Sequence, residues 1–162
     1  MGPTDFAATW RQGDKPQGRF TAQTLDLGAL ATLAGHFVSA HGERLAALAE
    51  AVAYVHERNK KIYVTLNMIP HNADLEGLPE YVSELENLGI DGVIVADPGV
   101  FSVVREVAPD LRISISTQAN NTNWRSVAFW QTQGAKRIVL ARELGLSEIQ
   151  EIREKVAPEM EI

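Results

Sequence analysis

From Glu43 onward the chain alternates short β-branched runs with amphipathic helical stripes, and this rhythm constrains its fold more than any other feature. Strands are predicted at Lys61–Asn67, Gly92–Asp97, Arg112–Ser116 and Lys136–Ala141, starting about 20–30 residues apart. Each gap holds a helical pattern. Leu45, Leu48, Val52 and Val55 share one face, as do Leu78, Val82, Leu85 and Leu88. Pro98 opens a third helix carrying Val100, Phe101, Val103, Val104 and Val107. A fourth, capped by Asn121 or Thr122, carries Trp124, Val127, Ala128 and Trp130 and stops at Gly134. Ser147 and Gln150 have the spacing of a capping box for the last helix, lined by Ile149, Ile152 and Val156. Strands separated by crossover helices must run parallel in one sheet. The expectation is an α/β fold of about four βα units, either a doubly wound sheet or part of a (β/α) barrel, whose full set takes about 250 residues.

The first 42 residues lack this rhythm and are expected to form a separate segment, with the domain proper at residues 43–162. Residues 1–19, rich in Gly, Pro and polar side chains, read as a mobile tail. A short helix is expected around Leu25–Phe37, weakened by Gly28 and Gly35.

Composition narrows the function. At 45% hydrophobic and 22% charged, the chain has the make-up of a folded globular protein. No apolar run approaches the roughly 20 residues of a membrane span, and the N-terminus has no apolar signal core, so no membrane partner and a cytoplasmic location are expected. With a net charge of −6 and Lys60–Lys61 and Lys136–Arg137 as the adjacent basic pairs, the chain offers no dense cationic surface for nucleic acid. It contains no cysteine, so no disulfide, zinc–thiolate or iron–sulfur centre can rest on its own thiolates.

In parallel α/β folds, ligands bind at the carboxyl ends of the strands. That rule selects Asn67 and His71, Asp97, Gln118 and Asn120 within Ser116–Asn121, and Arg142 with Glu143 as substrate-binding candidates. Each also has a plain structural explanation. Asp97 precedes Pro98–Gly99 and suits an N-cap, and Arg142–Glu143 could be a surface ion pair. His56 sits at a helix edge, and Trp124 and Trp130 suit core packing. No Gly-Lys-Ser/Thr phosphate loop, Gly-x-Ser-x-Gly elbow, His-Glu-x-x-His metal motif or Gly-x-Gly-x-x-Gly turn is present, so no catalytic or metal-binding residue is assigned.

Several runs resemble one family. Ala51–Arg58 followed by Lys60–Asn67, His71–Gly77, Gly92-Val-Ile-Val-Ala-Asp-Pro-Gly99, Ser116–Asn120 with Asn123–Trp124, and Arg137-Ile-Val-Leu-Ala-Arg-Glu143 are similar, in order and spacing, to the peptidase U32 family, also called collagenase-like proteases. The resemblance implies part of a TIM-type barrel. It also implies kinship with oxygen-independent hydroxylases of tRNA, ribosomal RNA or a ubiquinone precursor, which hold an iron–sulfur cluster through cysteines. The RNA-acting branch, linked to prephenate, is the nearest in motif. Two features depart from the family. Its opening strands, resembling Glu-Leu-Leu-Ala-Pro-Ala-Gly and Asp-Ala-Val-Tyr-Leu-Gly, are not matched, and its cysteine-bearing half is missing.

The resemblance thus implies a fragment of an RNA hydroxylase, inactive alone, that binds no cofactor itself. Its strand-end residues would orient substrate or hydroxyl donor, with Arg142 placed to meet a carboxylate. Its partners would be a second copy or the missing barrel half, with RNA bound by the full-length enzyme. The alternatives are a U32 peptidase, for which no nucleophile is evident, and a non-enzymatic half-barrel that binds or assembles.

Overall fold

In the computed structural model, which describes residues 29–31 and 41–162, five parallel strands stand side by side in chain order: β1 (Ala29–Ala31), β2 (Ile62–Leu66), β3 (Gly92–Val95), β4 (Ile113–Ile115) and β5 (Arg137–Ile138). Helices α1 (His41–His56), α2 (Leu78–Asn87), α3 (Pro98–Val107), α4 (Trp124–Gln133) and α5 (Leu146–Lys155) follow the successive strands. The strand order has no reversal. A doubly wound sheet reverses at a switch point, whereas a barrel adds each strand beside the last. The winding is therefore that of a partial barrel.

The period-two geometry of the strands divides their side chains between two faces. Ile62, Val64, Leu66, Val93, Val95, Ile113, Ile115 and Ile138 enter one core cluster with Leu48, Val52 and Val55 of α1, Leu78, Val82 and Leu85 of α2, and Val100, Phe101 and Val104 of α3. Tyr63, Thr65, Ile94 and Ser114 occupy the alternate positions and are also buried. Burial on both faces is what a parallel sheet requires. The apolar stripes of the helices and of one strand face are thus the same core, seen from two sides.

Strand pairing differs from expectation in two places. Around Leu25–Phe37 the expected helix is contradicted at its centre. Ala29, Leu30 and Ala31 pair in parallel register with Ile62, Tyr63 and Val64, adding a fifth strand at the β2 edge. Ladder hydrogen bonds to β2 outweigh the weak helical preference of an Ala/Leu run flanked by glycines. The rest of that expected helix, and the tail at residues 1–19, lie outside the described residues. At the other edge, β5 is shorter than Lys136–Ala141. The Val139 amide still donates to the Ile115 carbonyl at 2.8 Å, but the chain then turns so that the Ala141 amide reaches the Asn121 carbonyl at 3.1 Å.

Helix termini also refine the sequence reading. Asn123, rather than Asn121 or Thr122, caps α4, its side chain accepting from the Ser126 amide at 3.0 Å. Helix α5 starts earlier than a Ser147–Gln150 box requires. Its N-cap is Gly145, whose amide donates to the Glu148 carboxylate at 2.8 Å. Gly134 ends α4 in the left-handed region at φ 101°, where a Cβ would be strained.

At the amino ends of β4 and β5, Glu161 accepts from Arg137 Nε at 2.7 Å and pairs with Arg112. The Arg112 and then the Arg137 guanidinium hydrogen bonds hold its carboxyl below the usual glutamate value of 4.5. The folded-state pKa is depressed. The stability Glu161 contributes is therefore fully present above the unfolded value and lost as pH falls through the folded one. Thermal denaturation should show a larger drop between pH 7 and pH 3 for the parent chain than for Glu161→Gln. Equal drops in the two would mean that the pair contributes nothing.

Candidate functional site

The carboxyl ends of β2 to β5 form one polar rim. Its backbone is tied across the strands: the Ser116 amide donates to the Val95 carbonyl at 2.7 Å, joining the ends of β3 and β4, and the Ala141–Asn121 bond joins the loops after β4 and β5. These links place Gln118, Asn120 and Asn121 in one loop, directly neighboured by the loop of Arg142 and Glu143.

Asp97 is fixed by its helix. Its Oδ1 accepts from the Gly99 amide at 2.7 Å and the Val100 amide at 3.0 Å, capping α3. A cap of this kind is worth about 1 kcal/mol, and it engages Oδ1 alone. Ser116 does the same for the 3-10 turn Thr117–Ala119, its hydroxyl accepting from the Gln118 amide at 3.3 Å. Asn120, which closes that turn, sits in the left-handed region at φ 54°, a conformation asparagine tolerates better than most residues.

Gln118, Asn120, Arg142 and Glu143 are exposed, and Asn67 is half-buried. Arg142 and Glu143 form no ion pair or hydrogen bond among the described residues, so they are not the mutual surface pair their adjacency suggested. Among the described residues the Arg142 guanidinium has no ion-pair or hydrogen-bond partner. His71 is exposed on the loop after β2, where its backbone amide donates to the Asp74 carboxylate at 2.7 Å. Among the described residues its ring makes no ion pair.

Asn121, which lies in the strand-end span Ser116–Asn121 and also suits a helix cap, caps no helix. Its side chain is fully buried, and among the described residues neither its Oδ1 nor its Nδ2 has a hydrogen-bond partner. Ser114, on β4 itself, likewise has a fully buried and unpaired hydroxyl. Buried polar atoms are nearly always satisfied, and each left unpaired costs about 1–3 kcal/mol. No feature of the sequence distinguished Asn121 from Asn120 or Asn123, because shielding depends on the tertiary setting of the loop.

Away from the rim, His56 Nε2 donates to Asp91 Oδ2 at 3.0 Å, and the same oxygen accepts from the Ile62 amide at 2.8 Å. This cluster staples the end of α1 to β2 and β3 and is structural. Trp130 is buried against Phe101 and Phe129, with ring centroids 5.2 and 5.3 Å away, whereas Trp124 is half-buried beneath Arg125 and Lys155. Among the described residues, no group of three His, Asp or Glu could hold a metal ion. No helix among them is long and apolar enough to cross a membrane.

Residues 38–162 match the model of peptidase family U32. The chain is 42% identical over 114 residues to tRNA hydroxylation protein P1 of Bacillus subtilis, covering 70% of this chain and 27% of that protein. It is 46% identical over 107 residues to tRNA hydroxylation protein P of Escherichia coli, covering 66% and 23%. It is 35% identical over 107 residues to the Escherichia coli 23S rRNA 5-hydroxycytidine C2501 synthase, covering 66% and 16%. The chain thus spans about a quarter or less of these curated relatives. A solved structure of a U32 peptidase superposes with a TM-score of 0.62 at 19% identity, covering 82% of this chain and 58% of that one, a likeness of fold.

Proposed function

Because the chain belongs to peptidase family U32, we propose that it is a segment of an RNA hydroxylase of that family, supplying substrate-holding groups rather than the whole reactive centre. The observation that carries this reading is its 42% and 46% identity to two tRNA hydroxylation proteins. The geometry agrees. Five parallel strands in chain order bring their carboxyl ends to one rim, where Gln118, Asn120 and Arg142 are exposed and uncommitted. A free guanidinium at that rim suits a phosphate or carboxylate, which it binds bidentately.

The donor set does not fit an iron–sulfur cluster, which needs thiolates in a chain with no cysteine. A cluster in the working enzyme would be held by other sequence, and this chain alone would not complete the reaction. The natural partner is then the rest of a barrel, or a second copy; at the β5 side it would meet the segment around Glu161, whose backbone bridges Arg137 and bonds the Ile138 amide. RNA would bind the assembled enzyme in the cytoplasm. The peptidase reading keeps the family's name but gains nothing at the rim, where no nucleophile–base pair stands among the described residues.

The test is mass spectrometry of hydroxylated nucleosides in tRNA and ribosomal RNA from cells lacking a full-length relative. One arm expresses this chain alone, and the other adds the cysteine-bearing half of that relative. Modification restored only in the second arm is the expected result. No restoration in either arm, with the two halves shown to associate, would overturn the reading.

A further inference from the structure

The sheet does not stop cleanly at β5. Past α5 the chain returns and lays Met160–Ile162 beside that strand in the same direction, with Glu161 bridged in parallel to Arg137. The Ile138 amide donates to the Glu161 carbonyl at 2.8 Å, and the Glu161 amide donates to the Lys136 carbonyl at 3.3 Å. These are the two bonds by which one residue enters a parallel ladder. The Glu161 carboxylate pins that register by pairing with both Arg112 and Arg137. The Arg153 guanidinium ties the return path to α5, donating to the Pro158 carbonyl at 2.6 Å and the Met160 carbonyl at 2.7 Å. Met160 is buried in the core cluster beneath the helices, so strand alternation gives Glu161 the opposite face and Ile162 the helix side again.

Beyond Glu161 this edge is open. The Val139 amide faces β4, where it donates to the Ile115 carbonyl at 2.8 Å. Alternation therefore turns the Ile138 carbonyl and the Leu140 amide outward, and neither has a backbone partner among the described residues. An apolar cleft of about 690 Å3 runs along the same edge, lined by Ile138, Val139, Leu140, Ile149, Met160 and Ile162. Val139 and Ile162 are 41% and 39% exposed. Unpaired backbone groups beside an apolar cleft form the surface to which an extended segment adds as a strand. We propose that this cleft receives one extended segment from the rest of the enzyme, pairing with β5 in parallel and in the register pinned by Glu161. The ladder already begun at Glu161 selects a strand as the occupant. Two tRNA hydroxylation proteins of which the chain covers 27% and 23% have ample further length to supply one. In this register the next ladder residue donates its amide to the Ile138 carbonyl and accepts from the Leu140 amide. The side chain after it falls on the helix side near Ile149, where an apolar β-branched residue fits. With the segment seated, β5 lengthens past Ile138 toward the Lys136–Ala141 span that its own residues favour. The source of the segment rests on the reading of this chain as part of a larger enzyme; the direction and register do not.

The test is hydrogen exchange of the Leu140 amide, followed by 1H–15N NMR. In one arm the chain carries a Val-Thr-Val-Thr tail after Ile162. In the other, the cysteine-bearing half of a full-length relative is added to the 162-residue chain. In both arms Leu140 exchange should slow roughly tenfold, as one added hydrogen bond of ordinary net strength implies, while Val82 in α2 is unchanged. A tail that opens with Pro has no N–H for the Ile138 carbonyl and should lose the effect. Val139→Asp, at an exposed position outside the core cluster, should fold normally and weaken docking in the second arm. Unchanged Leu140 exchange in both arms, or equal protection by the Pro tail, would overturn the groove. Protection by the tail but not by the relative's half upholds the groove and its register and overturns the assigned source. Leu140 protection that grows with the concentration of the chain alone means that a second copy fills the cleft, which also overturns that source. If both arms protect Leu140 while RNA hydroxylation is never restored, the docking stands and the hydroxylase reading falls.

Discussion

Replacing Trp130 with alanine should lower the stability of the chain by about 3–5 kcal/mol, the usual cost of deleting a large buried aromatic. Trp130 is 7% exposed and belongs to the core cluster that contains Phe101 of α3 and Val127 of α4. Its ring lies 5.2 Å from Phe101 in a tilted contact and 5.3 Å from Phe129 edge-on, geometries that add to the area buried. Deletion removes these contacts and opens a void between α3 and α4 that packed neighbours refill only in part. A domain of this size is stable by about 5–15 kcal/mol, so the loss should shift the urea midpoint strongly. Trp124→Ala is the matched control, because that ring is half-buried beneath two cations and should cost far less. Equal midpoints for the two variants would show that the α3–α4 contact does not hold the fold.

The second large effect is expected at Gly92. A Cβ built there would lie 2.4 Å from the Arg112 carbonyl oxygen and 3.1 Å from Tyr63 Cδ1. The same carbonyl accepts the Val93 amide at 2.9 Å, the bond that sets β3 against β4. Backbone oxygen cannot swing aside as a side-chain tip can, so Gly92→Ala must part the two strands or tilt β3. Overpacking typically costs about 1–3 kcal/mol. The upper end or beyond is expected here, with Gly92→Val worse still. Hydrogen exchange should show the Val93 and Ile94 amides losing protection before those of α5. Full stability in Gly92→Ala would mean that the strands separate at no cost.

The two variants probe different sources of information. The tryptophan's role was already visible in the sequence, because Val127 and Trp130 fall on one helical face next to a β-branched strand. The same is true of the alternation itself: β-branched runs bounded by polar turns can hardly be other than strands, and helices between them force the strands parallel. The polar rim and the Asp97 cap were legible for a related reason, since both follow from where a strand ends and a helix begins. The family motifs carried the rest of the functional reading.

Relations between distant residues decided what local pattern could not. Ala29–Ala31 becomes a strand because β2 offers it an open ladder, which no window of its own residues reveals. Beyond the Val139 amide, which still bonds Ile115, the chain leaves the sheet as the Ala141 amide finds the Asn121 carbonyl. Barrel winding rather than double winding rests on strand order, a global property. Asn120, Asn121 and Asn123 are chemically identical in sequence, yet one closes a turn, one caps α4 and one is buried with its carboxamide unpaired. The sequence by itself determined the element types, the parallel sheet and the rim on which chemistry would sit, because these depend on periodicity and local sterics. Only the tertiary structure decided the strand order, the edge strands and the shielding of Asn121, because hydrogen-bond partners and solvent exclusion exist only once separate segments are brought together.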